Sequence, residues 1–431
     1  MMKRLALLIL LLAIGLSGTA LAQDSTGLVV NADESLGTIS PYIYGANFGI
    51  QSAVPVDLIP EAQNSGVHYL RRGGGFSDER PLLNGDIDLF MATVRLVGAE
   101  PAMTVRLHES TPEASAANVE YANIKKGYNI RYWSIGNEPS LFAGLFQMEY
   151  TTAMHNIEWR AHAEAMLAVD PTIILVGPDL HQYPGIPEQN LKDSNGLDWM
   201  EEFLKVNGDL VGVVSVHRYP FPRDKSNPTV TIEDLRLNSR EWDDHIIPNL
   251  RDVIQRTTGR DIPIAITEVN SSWANNVAGE ASMDSHYNAI WYGDVLGRLI
   301  RQRVTIAAFW DFQRRHQSWG LIGGDSVRPT YYTFQMYKLF GTEALMTSSD
   351  IEDLYVYAAR RDDGALTVMV VNMGLEPATA PLTLNGFTAG GDAEVWLLDP
   401  EHQATAIGTQ PIGTEVTVPA QSLTLYVIPA G

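Results

Sequence analysis

The 431-residue chain contains no cysteine. This excludes disulfide bonds and any lipid anchor attached through a cysteine, so the folded state has to be stabilised by burial of apolar side chains. The composition allows this, because 45% of the residues are hydrophobic and 19% are charged, which is typical of a globular chain with a large core.

Long apolar runs are also scarce. One stands within residues 1–22, where Lys3 and Arg4 precede the apolar stretch 5–14 and Ala20-Leu-Ala22 closes the segment. This pattern predicts a secretory signal peptide. The stretch is shorter than the ~20 residues that a membrane-spanning helix needs. We therefore expect a soluble, secreted or periplasmic protein with no membrane span after the signal has been removed.

Basic residues are few, since 30 Lys and Arg stand against 51 Asp and Glu, which gives a net charge of −21. Loss of Lys3 and Arg4 with the signal segment would leave −23. Nucleic-acid binding usually requires a concentrated basic face, so no nucleic-acid partner is expected.

Sequence motifs for bound cofactors are absent as well. The ten histidines show no His-Glu-x-x-His spacing, and there is neither a phosphate-binding loop nor a Gly-x-Ser-x-Gly elbow. Gly73-Gly-Gly75 lacks the dinucleotide fingerprint. The sequence therefore predicts neither a metal nor another cofactor.

From residue 40 to residue 340 the chain alternates between short β-rich runs and longer helical patterns, which favours a parallel sheet. The apolar positions Leu250, Val253 and Ile254 are typical of a helix that packs on such a sheet, and Pro248 should break or kink that helix. Eight candidate strands, the number of a (β/α)8 TIM barrel, lie at 42–44, 68–70, 102–107, 132–135, 173–176, 213–216, 264–267 and 306–310.

After residue 340 the pattern changes to alternating strands separated by turn signals such as Asp362-Asp-Gly364. Residues 341–431 are therefore predicted to form an antiparallel β-sandwich domain. The segment 23–39 precedes the barrel and is a candidate for one further strand of that sandwich.

Two glutamates follow candidate strands of the barrel: Glu138 in Gly136-Asn-Glu-Pro139 after the fourth, and Glu268 in Ile264-Ala-Ile-Thr-Glu268 after the seventh. In a closed barrel both strand ends open at the C-terminal mouth, where barrel enzymes carry their active sites. Two facing carboxyl groups are what the hydrolysis of a glycosidic bond requires. A separation of ~5–5.5 Å would indicate a nucleophile and an acid/base, and ~6.5–9.5 Å would leave room for a water and indicate inversion.

Other polar side chains lie at the ends of the same strands. Arg71 after strand two is the candidate cation that keeps Glu268 ionised, and it could equally form a structural ion pair inside the barrel. Asn137 could donate to a sugar hydroxyl or simply cap a turn. His217 and Tyr219 after strand six could orient Glu268, with a structural histidine as the alternative.

Trp310 ends the eighth strand of the predicted barrel. An indole at this position could form a stacking floor for a sugar ring, and filling of the core is the alternative interpretation.

At these residues the chain resembles the heparanase and β-glucuronidase-like glycoside hydrolases, which are retaining enzymes of a large (β/α)8-barrel clan. The similarity rests on Leu70-Arg-Arg-Gly-Gly-Gly-Phe-Ser-Asp78, on 136–142 around Glu138, on 329–341 and on 419–429. The resemblance implies that Glu138 is the acid/base, Glu268 the nucleophile and Asn47 a residue of the sugar subsite.

The resemblance also marks a difference. Relatives that bind a uronate carboxylate use backbone amides of a Gly-Gly stretch after the nucleophile and a tyrosine after strand eight. This chain has Ser271-Ser-Trp-Ala-Asn-Asn276 after the nucleophile, and Trp319 stands near the tyrosine position. Trp319 is accordingly a further candidate for substrate binding.

These observations predict an exported retaining β-glycoside hydrolase that uses two glutamates in a double displacement, with an oligo- or polysaccharide as its partner. The β-glucuronidase-like activity is the first interpretation. One alternative is a retaining hydrolase of a neutral polysaccharide, of the endoglucanase or xylosidase type. A second alternative is a barrel that binds carbohydrate without catalysis.

Overall fold

A computed structural model describes residues 27–49, 52–223, 226, 229–274 and 279–431. The expected signal peptide, 1–22, lies outside this range. Among the helices within the range, none has both the length and the apolar character that crossing a bilayer requires.

The described chain folds into a barrel followed by a sheet domain. Its strands are β1 (Leu28–Thr38), β2 (Gly45–Asn47), β3 (Tyr69–Arg72), β4 (Glu100–Val105), β5 (Tyr132–Ile135), β6 (Ile174–Leu180), β7 (Val213–Arg218), β8 (Ile264–Val269), β9 (Ile306–Phe309), β10 (Glu343–Ser349), β11 (Leu354–Arg360), β12 (Leu366–Asn372), β13 (Ala378–Asn385), β14 (Ala393–Leu398), β15 (Thr405–Gln410), β16 (Glu415–Val418) and β17 (Ser422–Ile428).

Its α-helices are α1 (Ile59–Gln63), α2 (Asn84–Val97), α3 (Pro112–Val119), α4 (Phe142–Leu145), α5 (Thr152–Val169), α6 (Trp199–Asn207), α7 (Ile232–Asn238), α8 (Ile247–Thr258), α9 (His286–Arg301) and α10 (Pro329–Lys338).

Strands β2 to β9 are all parallel and close into an eight-stranded barrel, so the predicted (β/α)8 fold is confirmed. Strand β2 closes the barrel by pairing with both β3 and β9. The helices between the strands cover its outside, and most inward-facing and outward-facing strand residues are buried. Burial on both faces explains why these strands read as short continuous apolar runs.

The first barrel strand was placed wrongly by the sequence prediction. Residues Pro41–Ile43 form a 3-10 turn, in which Ser40 Oγ accepts from the Tyr42 amide at 3.3 Å and the proline ring fixes the first φ angle. The strand begins at Gly45 instead. A Cβ at Gly45 would come within 2.7 Å of the Ala307 carbonyl oxygen, so glycine is needed where β2 meets β9.

Pro248 lies in the first turn of α8, directly after a π-helical turn formed by Trp242–Ile246. The first-turn amides of an α-helix have no intrahelical acceptor, so a proline is tolerated there. The chain stays helical through Pro248 to Thr258, so the predicted break does not occur; the helix type changes from π to α just before the proline.

The C-terminal domain is a curled nine-stranded sheet in the order β15-β14-β17-β12-β11-β10-β1-β13-β16, which matches the predicted antiparallel sandwich. All its pairings are antiparallel except the parallel pair β1 and β13. The N-terminal strand β1 thus joins this sheet between β10 and β13 before the chain enters the barrel. The sheet curls around an apolar core that includes Val30, Val368 and Val395.

The sheet domain packs on α9 of the barrel. Cβ atoms at Gly293 and Gly297 would come within 2.6 Å of the Leu423 side chain and 2.3 Å of the Tyr357 ring, so the two glycines form notches for these residues. The Tyr357 hydroxyl also donates to Asp294 Oδ1 at 2.5 Å. A notched helix and a buried hydrogen bond therefore fix the two domains against each other.

Candidate active site

The polar residues predicted at the strand ends meet at the C-terminal mouth of the barrel. Arg71 lies in β3, Glu138 follows β5, His217 lies in β7 and Glu268 lies in β8. His217 pairs in register with Glu268 across the parallel β7 and β8. Parallel strands deliver such residues to one end of a barrel, and a single buried cluster results.

Glu268 is buried, with 4% of its surface exposed, and both of its oxygens accept hydrogen bonds. Arg71 Nη1 donates to Oε1 at 3.0 Å, and the Tyr219 hydroxyl donates to Oε2 at 2.6 Å. Burial raises the pKa of Glu268, while His217, Arg71 and the Tyr219 hydroxyl oppose the rise. The carboxylate is thus held rigidly and is offered two donors in its ionised form.

Glu138 adopts a left-handed backbone conformation, with φ 53° and ψ 50°, immediately before Pro139. Its amide donates to the Asp179 carbonyl at 3.1 Å. A non-glycine residue in this region is uncommon and strained, and such residues tend to occur at functional sites. The turn directs the Glu138 side chain to the mouth of the barrel, where it lies near His217.

His217 bridges the two glutamates. Its Nδ1 lies 2.8 Å from Glu138 Oε1 and 3.7 Å from Glu268 Oε2. Complete burial works to lower the pKa of His217, but the attraction of Glu268 and the hydrogen bond to Glu138 outweigh it, so the pKa is raised. His217 is therefore hydrogen-bonded to Glu138 and, when protonated, attracts the carboxylate of Glu268 through space.

One oxygen of Glu138, one oxygen of Glu268 and a ring nitrogen of His217 all lie within 4.8 Å of one another. Of the described residues, this trio alone has the spacing of metal ligands. Its close contacts are accounted for by hydrogen bonds within the protein, because both oxygens of Glu268 and Oε1 of Glu138 already have partners.

Arg71 connects the cluster through four hydrogen bonds. Nη1 donates to Asn47 Oδ1 and Glu268 Oε1, both at 3.0 Å, and Nη2 donates to Asn137 Oδ1 at 2.8 Å and Asp179 Oδ2 at 3.0 Å. Only 1% of Arg71 is exposed. A planar guanidinium holds several acceptors in a fixed geometry, so Arg71 sets the relative positions of its neighbours.

Gly73 explains part of the glycine run in the sequence. A Cβ at this position would lie 2.4 Å from Arg71 Cζ and 2.5 Å from its Nη1. The backbone therefore passes directly against the guanidinium, and only glycine leaves room for it.

The two asparagines occupy different environments. Asn47 is fully buried, its Oδ1 accepts from Arg71, and its Nδ2 donates to the Thr267 and Ala308 carbonyls at 2.9 and 3.0 Å. This placement fits a support for Arg71 better than a contact with sugar. Asn137 also accepts from Arg71, but its Nδ2 has no partner among the described residues. That amide is a buried donor without a partner directly beside Glu138, just below the residues that line the cleft.

Sequence reasoning did not single out Asp179, although it is central to the cluster. Its carboxylate accepts from Arg71 and from Thr267 Oγ1 at 2.6 Å, and its amide donates to Ser215 Oγ at 3.0 Å. Burial alone would raise the pKa of Asp179, but Arg71 and His217 lower it. An acid directly after the fifth candidate strand, in Gly177-Pro-Asp179, was the available signal.

Asp78 was also missed as a site residue. It accepts backbone N–H bonds from Leu107, His108 and Asn137 at 2.7 to 3.0 Å, and so ties together the loops that follow β4 and β5. Burial raises the pKa of Asp78 to about 6, against the opposing effect of these backbone donors. Asp78 does not contact Glu138 directly, but it fixes the backbone of the preceding residue, Asn137, through the hydrogen bond from the Asn137 amide.

Above the cluster lies a cleft of about 520 Å³. Trp310 and Trp319 form one corner, with ring centroids 6.3 Å apart and planes at 80°. The complete lining consists of Gly75, Glu138, Leu141, His181, Gln182, Tyr219, Pro222, Arg223, Glu268, Trp273, Trp310 and Trp319. Two acids at the floor and indole rings on the walls suit a polyhydroxylated ring with apolar faces.

No protein-family model matches the chain, and no curated protein does. Solved structures are similar over almost its whole length. A bifunctional glucanase-xylanase from a metagenome library has 21% identity and a TM-score of 0.75, covering 95% of this chain and 100% of that one. The family 44 endoglucanase Cel44A from Clostridium thermocellum has 18% identity and a TM-score of 0.72, covering 93% and 99%.

An α-L-arabinofuranosidase from Thermotoga maritima, solved with arabinose, has 20% identity and a TM-score of 0.72, covering 94% of this chain and 99% of that one. At these identities the likeness establishes the fold. The chain shares the arrangement of a (β/α)8 barrel with a β-sheet domain that these glycoside hydrolases possess.

Proposed function

We propose that the protein is a retaining glycoside hydrolase with Glu268 as nucleophile and Glu138 as acid/base. The observation that carries the proposal is that oxygens of the two carboxylates lie within 4.8 Å of each other at the floor of one cleft. This upper limit is short of the ~6.5–9.5 Å that inverting enzymes need for a water and fits the closer spacing of retaining enzymes.

The contacts of the two acids fit different roles. Glu268, which accepts from Arg71 and Tyr219, is stabilised as an anion and attacks the anomeric carbon. The bond from that carbon to the leaving oxygen breaks, and Glu138 supplies the proton to this oxygen. In the second step Glu138 takes a proton from water, the water oxygen bonds to the anomeric carbon, and the ester to Glu268 breaks.

The polar residues around the acids support these two steps. His217, hydrogen-bonded to Glu138, keeps a proton within the cluster while Glu138 alternates between acid and base. Asn137 Nδ2 is an unpaired donor beside Glu138, which would serve a sugar hydroxyl once substrate enters, and Arg71 holds its carbonyl end. A carbohydrate-binding barrel without catalysis has no need for a paired nucleophile and proton donor.

For the substrate we propose a neutral polysaccharide, of the β-glucan or xylan type. Residues 275 and 276 of the stretch after the nucleophile lie outside the described residues, but three of the described amides that could bind a uronate are occupied: those of Ser271, Trp273 and Ala274 donate to Asn270 Oδ1, the Phe221 carbonyl and Ser272 Oγ. The similar solved structures named above, a glucanase-xylanase and an endoglucanase, also favour this class.

The test is turnover of a panel containing aryl β-glucoside, β-xyloside, α-L-arabinofuranoside and β-glucuronide together with β-glucan and xylan. Glu268→Ala and Glu138→Gln should each reduce kcat/KM by about 10³-fold or more on the best substrate. Glu164→Gln, an exposed change on α5, is the matched control and should leave it unchanged. Activity that survives both active-site substitutions, or no hydrolysis and no covalent trapping by 2-fluoro glycosides across the panel, rejects the proposal.

A second candidate is a β-glucuronidase, and Arg223 is the observation that favours it. This cation lies on the cleft wall with 68% of its side chain exposed. Its carboxylate neighbour Glu241 is 3.6 Å away and is already bonded to Arg218 at 2.5 Å. Turnover of the glucuronide alone, reduced about tenfold by Arg223→Gln, would select this activity over the neutral one.

A further inference from the structure

We propose that Arg314, held by the buried carboxylate of Asp311, is the positioning residue that fixes Trp310 and Trp319 as the aromatic corner of the substrate cleft. The proposal rests on the glycosidase function in one respect only, namely that the corner contacts a sugar. It assigns a task to an ion pair that does not itself line the cleft.

Arg314 stands at equal distance from the two indoles. Its Cζ lies 5.7 Å from the ring of Trp310 and 5.7 Å from the ring of Trp319, and the two rings are 6.3 Å apart. A guanidinium within about 6 Å of an aromatic face is attracted by it. One cation in contact with both rings therefore favours a single angle between them.

Asp311 holds the guanidinium in this place. Its Oδ2 accepts from Arg314 Nε at 3.0 Å and from Nη2 at 2.5 Å, and the carboxylate is fully buried. A buried charge is tolerated only with a partner, so removal of either side chain leaves an uncompensated group. Burial raises the pKa of Asp311 to about 7, and Arg314 and Arg328 oppose this rise.

The loop that carries Trp319 passes close to the backbone of Arg314 and is held by a second arginine, Arg328. A Cβ at Gly320, where φ is +103°, would lie 2.8 Å from the Arg314 amide nitrogen. Arg328 donates to the carbonyls of Trp319, Gly320, Arg314 and Gln317. These bonds fix the loop backbone, and the ion pair of Arg314 then fixes the rings.

The consequence concerns binding more than chemistry. Both catalytic candidates, Glu138 and Glu268, are held by Arg71, Tyr219 and His217, and not by Arg314. We call the Arg314–Asp311 ion pair the clamp. Its loss should therefore weaken the contact of the two indoles with a sugar face while the reacting groups stay in place.

The experiment compares Arg314→Met, Arg314→Lys and Asp311→Asn with Arg315→Met, which removes the charge of an exposed neighbour outside the cleft lining. On the best neutral substrate, Arg314→Met and Asp311→Asn should each raise KM about tenfold and change kcat less than threefold. The double variant should be little worse than either single one, because both break the same contact. Arg314→Lys, which keeps the charge but loses the planar fork, should be intermediate.

Near-ultraviolet circular dichroism provides a readout that does not require activity. The tryptophan bands should change in Arg314→Met and Asp311→Asn and stay unchanged in Arg315→Met, with melting temperatures that show all variants folded. Should the wild type hydrolyse no glycoside, the proposed function fails and these spectra alone decide the clamp. An unchanged KM, a fall confined to kcat, or unchanged tryptophan bands in folded Arg314→Met and Asp311→Asn would overturn the inference.

Discussion

Gly73→Ala tests whether the rigid placement of Arg71 underlies the function. The added methyl group would lie 2.4 to 2.7 Å from Cζ, Nη1 and Nη2 of Arg71, whereas ordinary contact begins at 3.4 Å. To restore ordinary contact the guanidinium would have to retreat by about 1 Å, and the dense packing of the barrel interior leaves little room for this movement. With only 1% of Arg71 exposed, solvent offers no alternative position for it.

The magnitude follows from the bonds that Arg71 makes. All four measure 2.8 to 3.0 Å. A retreat of about 1 Å stretches the bonds to the acceptors that the guanidinium moves away from beyond about 3.5 Å, at which a hydrogen bond is lost. Each bond to a charged partner contributes about 1.5–3 kcal/mol. A misplacement of about 1 Å at reacting groups costs about 100-fold in rate. We therefore expect kcat/KM to fall by about 100-fold or more.

The assay is steady-state hydrolysis of the best substrate from the panel, with the melting temperature measured in parallel. Gly85→Ala is the control, because a Cβ there meets nothing within 4 Å and Gly85 lies in α2, outside the cleft lining. The reasoning is refuted by a folded Gly73→Ala enzyme whose kcat/KM stays within threefold of the wild type. A loss of stability without a loss of activity would reduce Arg71 to a structural ion pair.

Two further changes examine other contacts. Tyr219→Phe removes a donor that stabilises the Glu268 anion, so the pKa of Glu268 rises further; because the ionised form attacks, the acidic limb of the kcat/KM profile should move to higher pH, and an unshifted limb would contradict the assignment. Gly297→Ala forces the Tyr357 ring out of its notch on α9 and should lower the free energy of unfolding by about 1–3 kcal/mol in a denaturant titration, with kcat/KM unchanged. An equal loss in Gly85→Ala would remove the notch as the cause.

The parts of the fold that the sequence predicted are those with simple local patterns. Seven of the eight barrel strands overlap their predicted ranges, because strands buried on both faces appear as short apolar runs. The remaining predicted strand, 42–44, is the first in chain order. It has the same apolar character, but Ser40 and Pro41 begin a 3-10 segment there. The hydrogen bond from the Tyr42 amide to Ser40 Oγ favours the 3-10 turn over a strand. The pattern of apolar residues in the sequence gives no information about such a cap.

In the site, the sequence indicated the residues that end strands, including Glu138, His217 and Glu268, since barrel geometry brings such positions together. It did not reveal Asp179 as a partner of Arg71, because their pairing runs across the closed barrel between β3 and β6. It also left the environment of Trp310 open between core and cleft. That depends on the conformation of loop 311–328, which is held by hydrogen bonds between residues distant in the loop, such as Leu321 to Asp311 and Arg328 to Gln317, and not by a repeating local pattern.

The interior of the barrel itself argues that the charged cluster serves chemistry. At the start of the strands the interior is filled by an apolar layer that includes Tyr69, Val176 and Ile306. At the other end the same strands bury Arg71 and Glu268. Replacing buried ion pairs by well-packed apolar residues is often neutral or stabilising. Since the apolar layer shows how this barrel is filled for stability alone, the fold does not require the charged layer. The reaction proposed for the cleft does require it.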